Sequence, residues 1–275
     1  MGMAGDMGDG SEPTRLTREV GFRYLEPAWS PDSQRVTFTQ IRKNQPGQVF
    51  IASPNGTPTP VSPSTLAQFY PQFLTDGKQV AYEQFGTKRL LKATALAGGA
   101  TKTLGELPGV SSFPEMSPDE SELVYNDISS SVMHLWKQSL RTGVRTQVTF
   151  GPTPSGFARY SRDGKWLQLE FIKGSDNDIE LMPSTGGKPV PIWTEPGQWF
   201  ARSWSPDDSK VLTAGNPGGG WALYWISRYG KQSKQITKTL PLRMYVRYPE
   251  WSPDGKKIVY EFNESKGNVF VAELK

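Results

Sequence analysis

The sequence predicts an all-β fold, a six-bladed β-propeller built from four-stranded antiparallel blades. Two observations carry this prediction. A bulky residue followed three positions later by Asp, usually through Ser-Pro, recurs at Trp29, Phe73, Met116, Tyr160, Trp204 and Trp251. The aspartates of successive copies stand 44, 43, 44, 44 and 47 residues apart, and a step of roughly 40–45 residues is typical of a propeller blade.

Each copy supplies four strands, which we label a to d from the centre of the ring outward. Strand a ends at the bulky residue, and the Asp opens a turn that often continues with Gly, as at Asp163. Strand b is apolar and alternating, as in Val36–Phe38, and strand c follows a polar loop, as in Gln48–Ala52. Strand d is an outer strand that ends near Thr or Ser, as in Arg145–Thr149.

The last copy stops after its third strand, Val269–Leu274, while Arg15–Thr17 at the other end matches the end of a strand d. Thr17 precedes Asp32 by 15 residues, close to the spacing inside the chain. We therefore expect the N-terminal strand to complete the last blade, which would pair both sheet edges and close the ring. Residues 12–275 would then form one propeller domain, and residues 1–11 a disordered tail.

The composition excludes several classes of site. The 275 residues include no cysteine and one histidine, His134, so thiol catalysis and Cys-ligated zinc are absent and a histidine-based triad would depend on one residue. The net charge of +4 comes without a run of like charges, which argues against nucleic-acid partners. No apolar window is long enough for a membrane span. We expect a monomer.

No motif for a nucleophile elbow, a zinc protease or a phosphate loop is found. The six repeat aspartates lie one per blade, so they cannot converge on one ion, and we expect them to accept backbone N–H bonds in their turns. Asp176-Asn-Asp178 could hold calcium but lacks the remaining ligands of an EF-hand, so a solvated loop is the simpler interpretation. We expect neither a metal nor a cofactor.

The repeat also carries a family resemblance. Pro249-Glu-Trp-Ser-Pro-Asp-Gly255 and Pro27-Ala-Trp-Ser-Pro-Asp32 resemble the WD40-like (PD40) repeat of TolB-type six-bladed propellers. The resemblance covers residues 12–275 and implies the fold. Similar repeats occur beside the hydrolase domain of prolyl-oligopeptidase-like peptidases and in some bacterial regulators. It also implies a periplasmic or other extracytoplasmic location, although the residues show no signal peptide.

Two sets of residues are not required by the repeat. The first lies on the face that carries the b-to-c and d-to-a connections, where we expect exposed tryptophans at Trp199 and Trp221. The three extra residues of the 47-residue step fall nearby, in the connection that carries Arg243, Tyr245 and Arg247. Aromatic and arginine side chains on a loop are enriched in protein interfaces, and the alternative is packing on their own blade.

The second set lies one residue before each bulky residue and would line the axial channel. Its members are Ala28, Gln72, Glu115, Arg159, Ser203 and Glu250. Arg202 joins them, because it replaces the Pro found at that step in four other copies. A channel mouth of mixed charge can accept a peptide terminus or a small polar ligand, and the alternative is a water-filled channel with mutually neutralising charges.

The leading hypothesis is a non-catalytic binding module for a protein or peptide partner, on the face with the b-to-c and d-to-a connections near blades five and six. Such a module could be the sensor or interaction domain of a larger bacterial protein. The alternative is an enzyme at the channel mouth that acts on a small anionic or carbohydrate substrate. In that case Glu115 or Glu250 would be the general acid or base, and Arg159 or Arg202 would hold the substrate.

Overall fold

The computed structural model describes residues 13–17, 21–54, 56–241, 244–263 and 268–273, and the predicted tail 1–11 lies outside them. The described residues form 24 strands in six antiparallel sheets of four strands each. The fold is an all-β propeller of four-stranded antiparallel blades, as the repeat predicts. Each sheet packs on the next along the chain, and the sixth packs on the first.

The strands follow the predicted a-to-d order. The a strands are β2 (Phe22–Trp29), β6 (Ala67–Phe73), β10 (Ser111–Met116), β14 (Ser155–Tyr160), β18 (Gln198–Trp204) and β22 (Tyr245–Trp251). The b strands are β3 (Val36–Arg42), β7 (Gln79–Phe85), β11 (Glu122–Asp127), β15 (Trp166–Lys173), β19 (Lys210–Asn216) and β23 (Lys257–Asn263). The c strands are β4 (Gln48–Ala52), β8 (Arg89–Ala95), β12 (His134–Ser139), β16 (Asp176–Pro183), β20 (Ala222–Ser227) and β24 (Asn268–Glu273).

The d strands are shorter at most positions. They are β5 (Thr59–Pro60), β9 (Thr101–Leu107), β13 (Arg145–Gln147), β17 (Val190–Trp193) and β21 (Ser233–Gln235). Five blades are therefore formed by consecutive strands. In the sixth sheet the outer strand is the two-residue β1 (Thr14–Arg15), whose partners on β24 are Val271 and Phe270.

The aspartates of the a-to-b turns have the predicted structural role. In the first copy, the Asp32 carboxylate accepts the Gln34 N–H at 3.0 Å and the Ser30 hydroxyl at 2.5 Å. Each of the other five aspartates also accepts the N–H two residues further on. These bonds lower the pKa of every repeat aspartate, to about 2 at Asp163 and Asp207. These bonds give the repeated Asp a structural role within the turn of every copy.

Hydrogen bonds join the a-to-b turns of neighbouring blades in pairs. The residue after each Asp has a left-handed backbone and alternates around the ring between a polar residue and Gly. The Asp208 carboxylate accepts the N–H groups of Arg162 and Asp163 in the preceding blade, at 2.8 and 3.0 Å. Glu120 does the same for Thr75, and the Ser33 hydroxyl accepts the Asp254 N–H. Three blade pairs are thus joined on the turn face of the ring.

Every a strand contains a β-bulge near the middle of the ring. In five blades two residues are skipped in the pairing with strand b, and the first of them has φ between +50° and +57°. These residues are Glu26, Tyr70, Phe113, Phe157 and Tyr248. Blade five differs, because only Arg202 is skipped there. Because a bulge breaks the alternation of a strand, it aims side chains at the axis that a regular strand would bury between blades.

Candidate binding site in the central channel

A cavity of about 490 Å³ lies on the axis, on the side of the ring that carries the a-to-b turns. All four charged residues predicted to line the channel open into it, namely Glu115, Arg159, Arg202 and Glu250. Prolines surround these charges. They are Pro27, Pro31, Pro71, Pro114, Pro118, Pro249 and Pro253. The cavity therefore has a rigid apolar rim with a few polar groups inside, which is the usual construction of a ligand site.

Glu115 and Arg159 come from adjacent blades and form an ion pair inside the cavity. Burial raises the pKa of Glu115, and the guanidinium groups of Arg159 and Arg202 oppose that rise. The pair leaves the mouth with charge of both signs in a poorly hydrated space. Such a space strengthens hydrogen bonds and ion pairs with a ligand.

Several other lining residues have a structural role between blades. The Glu250 carboxylate accepts the Trp29 N–H at 3.1 Å, Gln72 accepts that of Met116 at 3.2 Å, and Ser203 accepts that of Trp251 at 3.1 Å. Each bond links one blade to the next. Burial raises the pKa of Glu250 to about 7 in spite of this bond. The Gln72 amide nitrogen is buried without a protein hydrogen-bond partner.

The floor of the cavity is formed by the left-handed bulge residues. The Phe113 ring lies 4.8 Å from Tyr70, 4.9 Å from Phe157 and 6.5 Å from Tyr248, measured between ring centroids. Phe113 belongs to the third blade and Tyr248 to the sixth, so their contact crosses the axis. These side chains narrow the channel at this level, and the cavity lies on the side of the a-to-b turns.

Arg202 lies in this floor and is 7% exposed. Its guanidinium carbon is 4.8 Å from the Tyr248 ring centroid and 5.6 Å from that of Phe113, a cation–π arrangement. Its Nε is buried without a hydrogen-bond partner, and it takes part in none of the salt bridges found among the described residues. Burial, followed by repulsion from Arg159, lowers the pKa of Arg202 to about 10.

The floor residues were not predicted from the sequence. The pattern that could have identified them is the residue three positions before each bulky residue, which is aromatic in four copies and Glu26 in a fifth. The β-bulge falls at this position and disturbs the alternation of the strand, so a regular strand does not predict where its side chain points. The left-handed conformation costs roughly 1–3 kcal/mol per residue and tends to be found at functional sites.

The expectation that Trp199 is exposed is wrong. Its side chain is 2% exposed and packs edge-on against Trp193 and Tyr224, with ring centroids 5.3 and 5.2 Å away. Its indole N–H donates to the Glu195 carbonyl at 2.9 Å. A Cβ at Gly215 would lie 2.3 Å from the indole, so the glycine leaves the space that this ring fills.

Trp221 was also predicted to be exposed, and it is buried as well. It stacks on Phe200 with ring centroids 5.5 Å apart. The connection that contains the three extra residues folds over it, and the Leu240 N–H donates to the Trp221 carbonyl at 2.8 Å. A Cβ at Gly220 would lie 2.0 Å from the Leu240 carbonyl oxygen, so this close approach requires glycine. The insertion therefore covers the aromatic residue.

The other three residues predicted for the loop face, Arg243, Tyr245 and Arg247, differ in their surroundings. Tyr245 is half-buried against the core between blades five and six, and its hydroxyl accepts a hydrogen bond from Asn263 at 2.6 Å. Arg247 is exposed and stacks on Tyr245, with 4.7 Å from its guanidinium carbon to the ring centroid. Arg243 lies outside the described residues. The described part of this surface is thus mostly occupied by its own packing.

No cluster of three or more His, Cys, Asp or Glu suited to a metal occurs among the described residues. The interpretation of Asp176-Asn-Asp178 as a solvated loop is wrong, because these residues open strand β16 and Asn177 and Asp178 are buried. The Asp178 carboxylate pairs with Lys173. Within the same part of the chain, no helix is long and apolar enough to cross a membrane.

Solved structures of other propellers match the whole described ring. The putative TolB of Agrobacterium tumefaciens superposes with a TM-score of 0.68 at 19% identity, covering 93% of this chain and 91% of that chain. The fold is that of a TolB-like β-propeller. An oligogalacturonate lyase in complex with manganese matches this TolB-like propeller with a TM-score of 0.64 at 14% identity, covering 97% and 94% of the two chains.

The curated sequence relatives are also distant. The TolB-like propeller is 22% identical over 286 residues to the dipeptidyl-peptidase 5 of Porphyromonas gingivalis, a match that includes 92% of this chain and 40% of that protein. It therefore spans less than half of that relative. No family model matches the chain. These likenesses establish the fold, and they include both enzymes and TolB proteins.

Proposed function

We propose that this chain is a non-catalytic, monomeric binding module whose axial cavity takes a peptide segment of a protein partner. One observation carries the proposal: the blades converge on an axial cavity of about 490 Å³ that combines prolines with charges of both signs. The volume lies within the roughly 300–1,000 Å³ of ordinary ligand sites. The rim is rigid, so little conformational entropy is lost when a ligand binds.

The proposal places the site on the turn face of the ring rather than on the loop face favoured by the sequence. On the loop face, Trp199 and Trp221 are buried and Tyr245 is bonded to its own blade. In the cavity, the Glu115–Arg159 pair offers both a donor and an acceptor to a peptide backbone or side chain. The modest net charge and the absence of a basic stripe favour a protein partner over nucleic acid.

The experiment compares two ion pairs that have similar chemistry but different positions. A random peptide library displayed on phage is selected against the purified protein. Binding of the selected peptides is then measured for Glu115→Met plus Arg159→Met, which replaces the cavity pair with apolar side chains of similar length. Lys88→Met plus Glu106→Met is the matched control, because that 2.8 Å pair is exposed on the outside of blade two.

We expect the cavity variant to weaken binding by roughly tenfold or more, the loss expected for a desolvated charged contact. The control variant should bind as the parent does. Equal binding by both variants would refute a site in the channel, and a selection that enriches no peptide would refute peptide binding itself.

A second candidate is an enzyme at the same cavity. The observation that favours it is the pKa of about 7 at Glu26 and Glu250, since a carboxyl group with that value can act as a general acid near neutral pH. However, the Glu250 carboxylate already accepts the Trp29 N–H. The Glu26 carboxylate accepts the Tyr70 N–H and the Thr39 hydroxyl. These bonds give both groups a structural role. A turnover that is lost in Glu115→Gln plus Glu250→Gln would favour the enzyme.

We also infer that β1 closes the ring. Two residue pairs join it to β24, and the adjoining Leu16 is buried in a cluster that includes Tyr24 of the first blade and Val259 of the sixth. A closed ring would hold the cavity in one shape, because blades one and six both contribute to its wall.

A further inference from the structure

The cavity floor contains a cation without a counter-ion. Arg202 is only 7% exposed, yet no carboxylate of the described residues forms a salt bridge with it. The carboxylates of Glu115 and Glu170 influence it only through space. A buried and unpaired guanidinium costs several kcal/mol, so an anionic group that pairs with it from the cavity would offset this cost.

The part of Arg202 that can bind is its terminal edge. Its Nε is shielded from the cavity, which leaves the two Nη groups toward the ligand side. Two parallel N–H donors in one plane match the two oxygens of a carboxylate. The Tyr248 and Phe113 rings fix the guanidinium plane by stacking on it.

Two phenol hydroxyls add donors at the same level. Tyr70 and Tyr248 line the cavity, and no hydrogen bond from either hydroxyl is found within the described part of the chain. Burial raises the pKa of both groups, so both remain protonated and can donate. The neighbouring carboxyls of Glu26 and Glu250 have pKa values raised to about 7, which weakens their competition for the cation near neutral pH.

The narrow floor affects which part of a chain can reach these donors. The Phe113 and Tyr248 rings, with centroids 6.5 Å apart, narrow the axis at this level, which favours entry of a chain end over passage of an extended peptide through the ring. A chain end or the tip of a side chain can reach the bottom of the cavity. Since the unpaired group at the bottom is a cation, the chain end that fits is the C-terminal one.

We propose that the floor of the channel, formed by Arg202, Tyr70 and Tyr248, is a recognition site for the free C-terminal carboxylate of a peptide. This inference rests on the proposed function, since it assigns the orientation and the chemical class of the peptide that enters the cavity. Arg159, held by Glu115 nearer the mouth, would contact the peptide before its terminus.

The test uses the full chain and two peptide pools of the same sequences. N-acetylated tripeptides with randomised residues are prepared once as free acids and once as C-terminal amides, and each pool is titrated against the protein by competition with a fluorescent free-acid tripeptide. Acetate is titrated separately. The variants are Arg202→Met and Tyr70→Phe, and Arg228→Gln is the matched control. Arg228 also stacks on aromatic rings of blades four and five but lies outside the cavity.

We expect the free-acid pool to bind at least roughly tenfold more tightly than the amide pool, because the amide loses the charge-assisted pair. Arg202→Met should remove that preference, Tyr70→Phe should reduce it, and Arg228→Gln should leave it unchanged. Arg202→Met should also keep its thermal transition, because it removes an uncompensated buried charge.

Other outcomes overturn the inference in distinguishable ways. Equal affinity for the two pools refutes carboxylate recognition while leaving peptide binding intact. Binding of neither pool to the parent protein refutes the proposed function as well. If acetate displaces the probe as effectively as the free-acid pool does, the ligand is a small carboxylic acid and the peptide assignment is wrong. If Arg202→Met fails to fold, the single variants Tyr70→Phe and Arg202→Lys replace it. An undiminished preference for the free-acid pool over the amide pool in both of them refutes the site.

Discussion

The insertion that covers Trp221 can be tested with two glycines in one loop. Gly219 and Gly220 both have a left-handed backbone, with φ of +104° and +143°. Alanine at either position carries backbone strain of roughly 1–3 kcal/mol. The surroundings differ, since a Cβ at Gly219 meets nothing within 4 Å, whereas a Cβ at Gly220 lies 2.0 Å from the Leu240 carbonyl oxygen.

The difference between the two variants isolates the covering segment. Gly220→Ala must displace the segment around Leu240, which breaks the 2.8 Å bond from the Leu240 N–H to the Trp221 carbonyl. That bond contributes about 1 kcal/mol. Exposure of about a third of a tryptophan, some 50–80 Å², costs a further 1–2 kcal/mol or so at about 25 cal/mol per Å². We therefore expect Gly220→Ala to lower the free energy of unfolding by about 2–3 kcal/mol more than Gly219→Ala.

The measurement is urea denaturation followed by circular dichroism and tryptophan fluorescence at one pH. A double-mutant cycle provides the control, since in a Trp221→Ala background the part of the loss that comes from uncovering the ring should vanish. Equal destabilisation by Gly219→Ala and Gly220→Ala would refute the reasoning. It would mean that the segment yields freely and that the three extra residues do not hold Trp221.

Three further predictions concern the axis, the ring and the turns. Glu261 is 1% exposed, its Oε2 has no hydrogen-bond partner, and burial raises its pKa from 4.5 to about 8. Between these pH values the folded state keeps a proton that the unfolded state releases, so the free energy of unfolding falls as the pH rises from 4.5 to 8. Glu261→Gln should therefore stabilise the protein by on the order of 2–5 kcal/mol at pH 9 but not at pH 4. Denaturation at both pH values checks this, and an equal effect at both would contradict it. Leu16→Ala should cost about 2–4 kcal/mol in a thermal melt if β1 closes the ring, whereas a cost below about 1 kcal/mol would indicate that blade six is stable without it. Asp208→Ala should cost about 1–3 kcal/mol because two N–H groups of the preceding turn lose their acceptor, while Asp176→Ala at the exposed start of β16 should be neutral within about 0.5 kcal/mol.

The fold was predictable because it depends on a local pattern repeated six times. The Asp turns show this clearly, since the bonds from Asp32 to Ser30 and Gln34 lie within five residues and need no knowledge of the rest of the chain. The channel lining was predictable for the same reason. Glu115, Arg159 and Glu250 share one repeat position, so the symmetry of the ring brings them together.

The sequence argument failed where distant residues decide exposure. The repeat pattern assigns Trp199 and Trp221 to connections, where tryptophan is often exposed, whereas the structure places Trp199 in strand β18. Whether each is covered depends on Gly215 beneath the first ring and on the segment around Leu240 above the second. The floor was missed for another reason, since a bulge changes which side chains face the axis and the assumed regular alternation cannot represent it.

Blade five shows why departures from the repeat matter for function. In four copies the second bulge residue is proline, whose side chain has no polar group to offer a ligand. In blade five the corresponding residue is Arg202, the bulge shortens to one residue, and a charged side chain reaches the axis. The same blade holds the covered Trp221, so its outer loop is fixed by packing. A rigid blade that places one cation at the narrow end of the channel meets the requirement for pre-organised recognition, because the cost of desolvating the guanidinium is met during folding rather than during binding.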